Sequence, residues 1–156
     1  SIGNFYNKEE IQFLKKLRKS ISKNNYLFIG VDLIKNKKIL DKAYNDKKGY
    51  TAKFSLNLIN IINRTQKTNL NINDFYYHGF YNTKLKCIQG YLVSKVNQNF
   101  KIGNKRFFLK KRERILVEIS NKFTVKSFTR LASNTGWTTE RVWLDNQKYY
   151  SLFLLK

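Results

Sequence analysis

A short apolar run at residues 26–31 is the feature that most restricts the fold of this chain. It follows a stretch of about 15 residues with helical spacing of apolar residues, and it is too short to be an ordinary helix itself. A strand that is apolar on both faces and follows a helix is typical of a parallel sheet covered by helices. We therefore expect the chain to begin as part of an α/β sheet, with Asp32 at the carboxyl end of this strand.

Helical spacing predicts a helix before the strand and two helices after it. The first helix is expected to be capped by Asn7, with Glu10 as its capping-box partner. The second covers residues 37–45, and the third begins with Thr51 as its cap. The apolar positions of the third helix predict an inward face formed by Phe54, Leu58, Ile61 and Ile62.

From residue 75 onward the spacing becomes alternating, which predicts strands. Short turns between these strands favour antiparallel pairing. A helix capped by Thr124 and ended by Gly136 follows. The predicted strands cover residues 75–81, 87–94, 98–102 and 115–123, and a closing hairpin covers residues 138–144 and 149–155.

Composition excludes several classes of protein. The 156 residues are 42% hydrophobic and 15% aromatic, which is enough for a packed core and argues against disorder. No apolar run approaches the roughly 18 residues of a membrane span, and no signal-peptide pattern is present. With Cys87 as the single cysteine, we expect a soluble cytoplasmic protein without a membrane partner. The single His78 and the absence of a cysteine pair predict no metal site.

The formal net charge of +21 has two explanations. Dense positive charge attracts phosphates, so a basic, aromatic-rich module that binds nucleic acid is one alternative. Translation of an A/T-rich genome is the other, because Lys, Asn, Ile, Tyr and Phe are abundant and proline is absent. The excess of lysine over arginine and the scatter of the basic residues favour the second explanation. The one dense basic run spans residues 105–114.

Five short segments then follow one another in a recognisable order. They are Ser-Ile-Gly-Asn at residues 1–4, Gly-Val-Asp-Leu-Ile-Lys at 30–35, Ala-Tyr-Asn-Asp at 43–46, Gly-Tyr-Thr-Ala-Lys-Phe-Ser-Leu-Asn at 49–57 and Glu-Ile-Ser-Asn-Lys-Phe at 118–123. In sequence and in order they resemble the histidine N-alpha-methyltransferase family of ergothioneine biosynthesis, over nearly the whole chain.

The resemblance implies a fold and an activity. The fold is α/β, the C-terminal part of a class I, Rossmann-like methyltransferase sheet. Residues 1–44 and 124–156 belong to the core, and residues 45–123 form a mixed α+β substrate-binding insertion in one partial domain. The activity is the transfer of methyl groups from S-adenosylmethionine to the alpha-amino nitrogen of L-histidine.

The segment that binds S-adenosylmethionine is expected upstream of Ser1. Because the sequence also contains no methionine, we expect a truncated form, with a non-functional remnant as a further alternative. Methyl transfer is expected to be direct, without a covalent enzyme intermediate, so no catalytic residue is assigned.

The resemblance implies five substrate-binding residues. Asn4 matches the asparagine that binds the amino-acid head group, Tyr44 a tyrosine that contacts the carboxylate or amine, and Phe54 an aromatic residue that lines the pocket. Glu118 and Ser120 match the pair that recognises the imidazole. Two residues apart in a strand, they face the same way, and the carboxylate suits a ring N–H while the hydroxyl can donate or accept.

Gly90 departs from the family pattern. The family usually has a larger apolar residue there, often methionine, packed against the imidazole pocket. A glycine is expected to leave more room and to relax the selectivity for histidine.

Overall fold

The structure is a computed structural model, and it describes residues 2–22 and 24–156. These residues form two compact units. Unit 1 consists of Ser1–Lys37, Asn82–Cys87 and Ile119–Lys156, and unit 2 consists of Lys38–Tyr81 and Ile88–Glu118. Both units contain helices and strands, so the expected mixed α/β class is confirmed.

The described elements occur in the following order along the chain. The α-helices are α1 (Glu9–Ser20), α2 (Lys37–Tyr44), α3 (Tyr50–Gln66) and α4 (Val125–Ser133). The strands are β1 (Leu27–Asp32), β2 (Phe75–Asn82), β3 (Cys87–Ser94), β4 (Gln98–Ile102), β5 (Lys105–Leu109), β6 (Arg114–Asn121), β7 (Thr139–Leu144) and β8 (Tyr150–Leu155). Short 3₁₀ helices cover Ile2–Asn4 and Ile72–Asp74. Among the described helices, none has the length and apolar character needed to cross a membrane.

The sheet of unit 1 has the order β1-β8-β7, and both neighbouring pairs are antiparallel. The expectation of parallel pairing for the strand at residues 26–31 is therefore wrong for this sheet. Its assumption that both strand faces are covered also fails, because Phe28 is 58% exposed. An apolar run alone does not distinguish a strand covered on both faces from a partly exposed one. The predicted closing hairpin, β7 and β8, is confirmed.

Helix α1 begins differently from the expectation. Asn7 and Lys8 both have positive φ, and the helix starts at Glu9 without a side-chain cap on Lys8. The Glu9 carboxylate instead accepts a hydrogen bond from the Tyr6 N–H at 3.2 Å. The capping box of Asn7 and Glu10 is therefore wrong, because the chain turns through left-handed conformations just before the helix. The predicted cap of α4, Thr124, is confirmed, and it forms a capping box: Thr124 and Ser127 exchange side-chain to backbone bonds of 2.9 and 3.0 Å.

The N-terminus of helix α3 is capped by Asp46, which precedes the helix in the sequence. Both carboxylate oxygens of Asp46 accept hydrogen bonds at 2.9 Å, from the N–H groups of Tyr50 and Thr51. These bonds lower the pKa of Asp46 to about 2. The prediction that Thr51 is the cap is wrong, since the chain reaches the helix through the left-handed Gly49 and places Asp46 over the first turn.

The inward face of α3 is rotated relative to the prediction. Ser55 and Ile59 are the buried residues of this helix, whereas Phe54 is 81% exposed and Ile61 is 38% exposed. Leu58 and Ile62 do pack against the core of unit 2. The prediction assigned the inward face of α3 to its most hydrophobic residues. In the structure the small Ser55 lies on the buried face, and the neighbouring Phe54 therefore points outward.

Unit 2 contains the sheet of order β2-β3-β6, whose strands lie mostly in this unit, and the hairpin β4-β5. The sequence predicted all of these strands except β5, because the basic run there conceals the alternation. The main core of the unit is formed by Ile59, Leu70, Phe75, Leu92 and Leu109. A second cluster contains Leu40, Tyr81 and Ile88, with Tyr44 packed against it.

Trp137 is a central residue of the core of unit 1. It is 2% exposed, and its Nε1–H donates to the Leu14 carbonyl at 3.1 Å. Replacing Trp137 by phenylalanine should lower the free energy of unfolding by about 1–3 kcal/mol, because a buried carbonyl loses its partner. Denaturant unfolding measures this loss. The matched control is Trp143→Phe on β7, where the indole is 38% exposed and the same change should cost less than about 1 kcal/mol. Equal losses in the two variants would contradict the expectation.

Candidate functional site

Glu118 lies on β6 in unit 2 and is partly buried. Its Oε2 accepts a hydrogen bond from the Tyr77 hydroxyl on β2 at 3.2 Å. Burial, the Glu118 charge and this hydrogen bond all raise the pKa of Tyr77. The phenol therefore stays protonated and acts as a donor. A carboxylate has two oxygens, so this bond occupies one side of the group.

The Tyr77 ring lies over two glycines. A Cβ placed on Gly90 would be 2.9 Å from the Tyr77 hydroxyl oxygen and 3.0 Å from the Glu118 Cβ. A Cβ on Gly79 would be 2.6 Å from the same hydroxyl oxygen. Both distances are too short for a real side chain, so both positions require glycine while Tyr77 is in place. The expectation that Gly90 leaves open room is therefore wrong, because Tyr77 fills the space.

Tyr44 is the last residue of α2 and also belongs to unit 2. It packs against the cluster of Leu40, Tyr81 and Ile88, and an electrostatic interaction with it is the smallest of the causes that raise the pKa of Tyr77. The next residue, Asn45, fixes the end of the helix: its Nδ2 donates to the carbonyls of Asp41 and Gly79 at 2.7 and 2.8 Å. The structure thus brings Tyr44 and Glu118 together around Tyr77.

Phe54 lies on the outer side of α3. Its expected place in the substrate pocket stays a prediction.

Ser120 follows Glu118 by two residues and lies in unit 1. It is 7% exposed, and its Oγ accepts a hydrogen bond from the Lys122 Nζ at 2.8 Å. A lysine ammonium can only donate, so the hydroxyl proton of Ser120 is directed elsewhere. Within this arrangement Ser120 can act as a donor to a further group.

Lys122 also forms an ion pair. Its Nζ lies 2.8 Å from Asp32 Oδ2, and the Lys35 Nζ lies 2.5 Å from Oδ1 of the same carboxylate. The Lys122 side chain is 1% exposed and the Asp32 side chain 33% exposed. Burial alone would raise the pKa of Asp32, but its hydrogen bonds with Lys122 and Lys35 and their charges outweigh burial and lower it.

The segment before α1 lies against β6 in unit 1. A Cβ on Gly3 would be 2.8 Å from the Asn121 carbonyl and 3.5 Å from the Ser120 Oγ. The Asn121 Nδ2 donates to the Phe5 carbonyl at 2.8 Å, which holds this segment in place. Asn4 is therefore near the Ser120 end of the strand, and its side chain is exposed.

Asn4, Tyr44, Glu118 and Ser120 come from the segments noted in the sequence. A family model described as histidine-specific methyltransferase, SAM-dependent, matches residues 1–156, which is the whole chain. The chain belongs to this family.

Curated relatives agree with this membership. The chain is 27% identical over 156 residues to the histidine N-alpha-methyltransferase of Mycobacterium tuberculosis (strain CDC 1551 / Oshkosh), covering 99% of this chain and 49% of that protein. It is 24% identical to the protein of the same name from Mycolicibacterium smegmatis, with the same coverage. It is also 30% identical over 123 residues to the ergothioneine biosynthesis protein 1 of Schizosaccharomyces pombe, covering 78% of this chain and 16% of that protein. The chain thus spans about half the length of the first two relatives.

Among solved structures, the chain is similar to a S-adenosylmethionine-dependent methyltransferase from Clostridium acetobutylicum. The TM-score is 0.48 and the identity 7%, over 100% of this chain and 54% of that one. These values are too low to carry an inference about function.

The structure also shows contacts of residues that the sequence did not propose for the site. Lys122, Asp32 and Lys35 stand inside the matched segments, but they were not proposed as site residues because lysines and aspartates usually face solvent. The signal that could have identified Lys122 is its place in an otherwise strand-like segment, two residues after Ser120. Tyr77 lies outside the five segments that carry the resemblance, and no sequence signal pointed to it.

Binding of S-adenosylmethionine requires groups that hold its ribose. A carboxylate at the end of a strand is the usual partner for ribose hydroxyls in such sheets. In unit 1 the strand β1 ends in the Asp32 carboxylate, and its two oxygens are bound by Lys122 and Lys35. We therefore assign no described residue to this methyl donor and derive no step from it.

The dense basic run lies on the hairpin of unit 2. Residues 105–108 of β5 are exposed, including Phe107 and Phe108 at 41% and 53%. Nucleic-acid binding at this hairpin stays a prediction.

Proposed function

We propose that the protein to which this chain belongs methylates the alpha-amino nitrogen of L-histidine, with S-adenosylmethionine as the methyl donor. The observation that carries the proposal is the match of the histidine-specific methyltransferase family to all 156 residues. In this proposal the chain is the C-terminal part of a class I methyltransferase sheet with a substrate-binding insertion. Its part in the reaction is to bind and orient the amino acid.

Recognition of the imidazole is assigned to Glu118 and Ser120. The Glu118 carboxylate accepts the N–H of one ring nitrogen. Because Ser120 already accepts a hydrogen bond from Lys122, its hydroxyl donates to the other ring nitrogen. The pair therefore selects a neutral imidazole, which has one N–H and one nitrogen lone pair.

Asn4 and Tyr44 are assigned to the amino-acid head group. An asparagine amide can accept from an amine and donate to a carboxylate, and a phenol can do either. Phe54 is assigned to the wall of the same pocket. The alpha nitrogen must be deprotonated and held in line with the methyl group that it receives, so binding and orientation account for the contribution of these residues.

The test uses the polypeptide as its cell makes it, with labelled S-adenosylmethionine and L-histidine. We expect transfer of label to histidine, with methylated products resolved by mass spectrometry. Imidazolepropionate is the matched control, because it keeps the ring and the carboxylate but lacks the alpha amine, and it should receive no label. Absence of transfer to histidine, or equal labelling of imidazolepropionate, contradicts the proposal.

A further inference from the structure

Tyr77 has no assigned role in the proposed function, yet its hydroxyl contacts Glu118 directly. Its hydroxyl oxygen lies 3.2 Å from Glu118 Oε2, which is longer than a usual O–H···O bond. The bond leaves Oε1 of the carboxylate to a second donor. A partly buried carboxylate that has only one hydrogen bond of moderate strength is stabilised further when a well-placed N–H donates a second one.

The ring of Tyr77 also determines the shape of the space beside Glu118. Gly79 lies two residues further along β2, and Gly90 lies on the adjacent strand β3. Both are buried and leave room for the ring of Tyr77 and its hydroxyl. An aromatic ring that covers glycines on its own and a neighbouring strand replaces the side-chain volume that those positions lack.

We propose that Tyr77 is a specificity-determining positioning residue: its ring forms the wall beside Glu118 in place of a side chain at position 90, and its hydroxyl holds one carboxylate oxygen so that the other receives the N–H of the substrate ring. This inference rests on the proposed function, since it concerns how Glu118 binds the imidazole. It adds Tyr77 to Tyr44, Phe54 and Glu118, the residues of unit 2 that the proposed function uses.

The first experiment tests the hydroxyl with Tyr77→Phe, which keeps the ring. We expect the KM for histidine to rise roughly threefold to tenfold with kcat changed less than twofold, because the carboxylate loses one neutral hydrogen bond that orients it. Tyr76→Phe is the matched control, since Tyr76 is the preceding residue on β2 and is 45% exposed. A purely structural role of Tyr77 would lower kcat with the amount of folded enzyme and leave KM unchanged.

The second experiment tests the wall by unfolding and needs no substrate. Gly90→Ala should destabilise the native protein clearly, because the new methyl group meets the Tyr77 hydroxyl. In a Tyr77→Ala background the same change should cost less, because two of the three closest atoms around that Cβ belong to Tyr77. Equal costs in both backgrounds would overturn the inference.

The outcomes separate the inference from the function on which it rests. If the native protein neither binds nor methylates histidine, the proposed function fails and the inference fails with it. If the native protein methylates histidine and Tyr77→Phe has the same KM, only the inference fails. A raised KM in Tyr77→Phe, a native KM in Tyr76→Phe and unequal costs of Gly90→Ala together support it.

Discussion

Replacing Glu118 by glutamine should lower kcat/KM for methylation of L-histidine by about one to two orders of magnitude. Glutamine has nearly the same size, and its amide oxygen can still accept the Tyr77 hydrogen bond. What is lost is the negative charge that accepts the ring N–H, and hydrogen bonds to charged groups are the stronger class. Initial rates at saturating S-adenosylmethionine over a range of histidine concentrations measure the effect.

The control for this prediction is Glu140→Gln, the same substitution on an exposed position of β7. It should leave kcat/KM unchanged. The midpoint of unfolding is recorded for both variants, so that a loss of folded protein is not mistaken for a loss of recognition. A kcat/KM of the Glu118→Gln enzyme within twofold of the native value would exclude Glu118 as the acceptor of the imidazole N–H.

Replacing Asp32 by asparagine should lower the free energy of unfolding by about 3 kcal/mol. This value is at the low end of the range of destabilisation measured when a buried ion pair is broken. The low end applies because the Asp32 side chain is one-third exposed, whereas the Lys122 ammonium is left almost fully buried with its counter-charge removed. Lys35 remains as a second cation beside the neutral amide, which adds to the cost. Denaturant unfolding near neutral pH measures the change.

The Lys122→Met background is the control for the Asp32 prediction. With the buried cation removed, Asp32→Asn should cost much less than in the native protein, and the difference is the coupling between the two residues. A cost below about 0.5 kcal/mol in the native background, or equal costs in both backgrounds, would contradict the assignment of this pair.

The same pair predicts how stability changes in acid. The pKa of Asp32 is lower in the folded protein than its usual value near 4 in an unfolded chain. The stability it contributes is therefore fully present above about pH 4, and it is lost as the pH falls through the folded value. Over this acidic interval the native protein should lose more stability than Asp32→Asn, which carries no titrating group at this position.

The spacing of apolar residues along the sequence was enough to predict most helices and strands of the fold. The helix capped by Thr124 and the hairpin of β7 and β8 were predicted because their signals are short-range and strong. The start of α1 and the cap of α3 were missed because left-handed residues such as Lys8 and Gly49 redirect the chain, and spacing of apolar residues does not record that. The pairing of β1 depends on a strand at the other end of the chain, which no local pattern specifies.

The candidate site, like the fold, could be predicted from the sequence only in part. The positions of Glu118 and Ser120 on one strand followed from alternation and from family resemblance, whereas their binding roles stay predictions. The partners of these residues did not follow from the sequence. Lys122 pairs with Asp32, and Tyr77 reaches Glu118, through contacts between residues far apart in the chain. Such contacts depend on tertiary packing.

Unit 1 is built from three separate stretches of the chain, and β1 pairs with β8, the last strand. During synthesis on a ribosome, β1 therefore emerges long before its partner, while all of unit 2 is made in between. We expect unit 2 to fold first and β1 to wait with an unpaired edge, an interval in which strands are prone to pair with other chains. A nascent chain with an excess of positive charge should repel its copies during that wait.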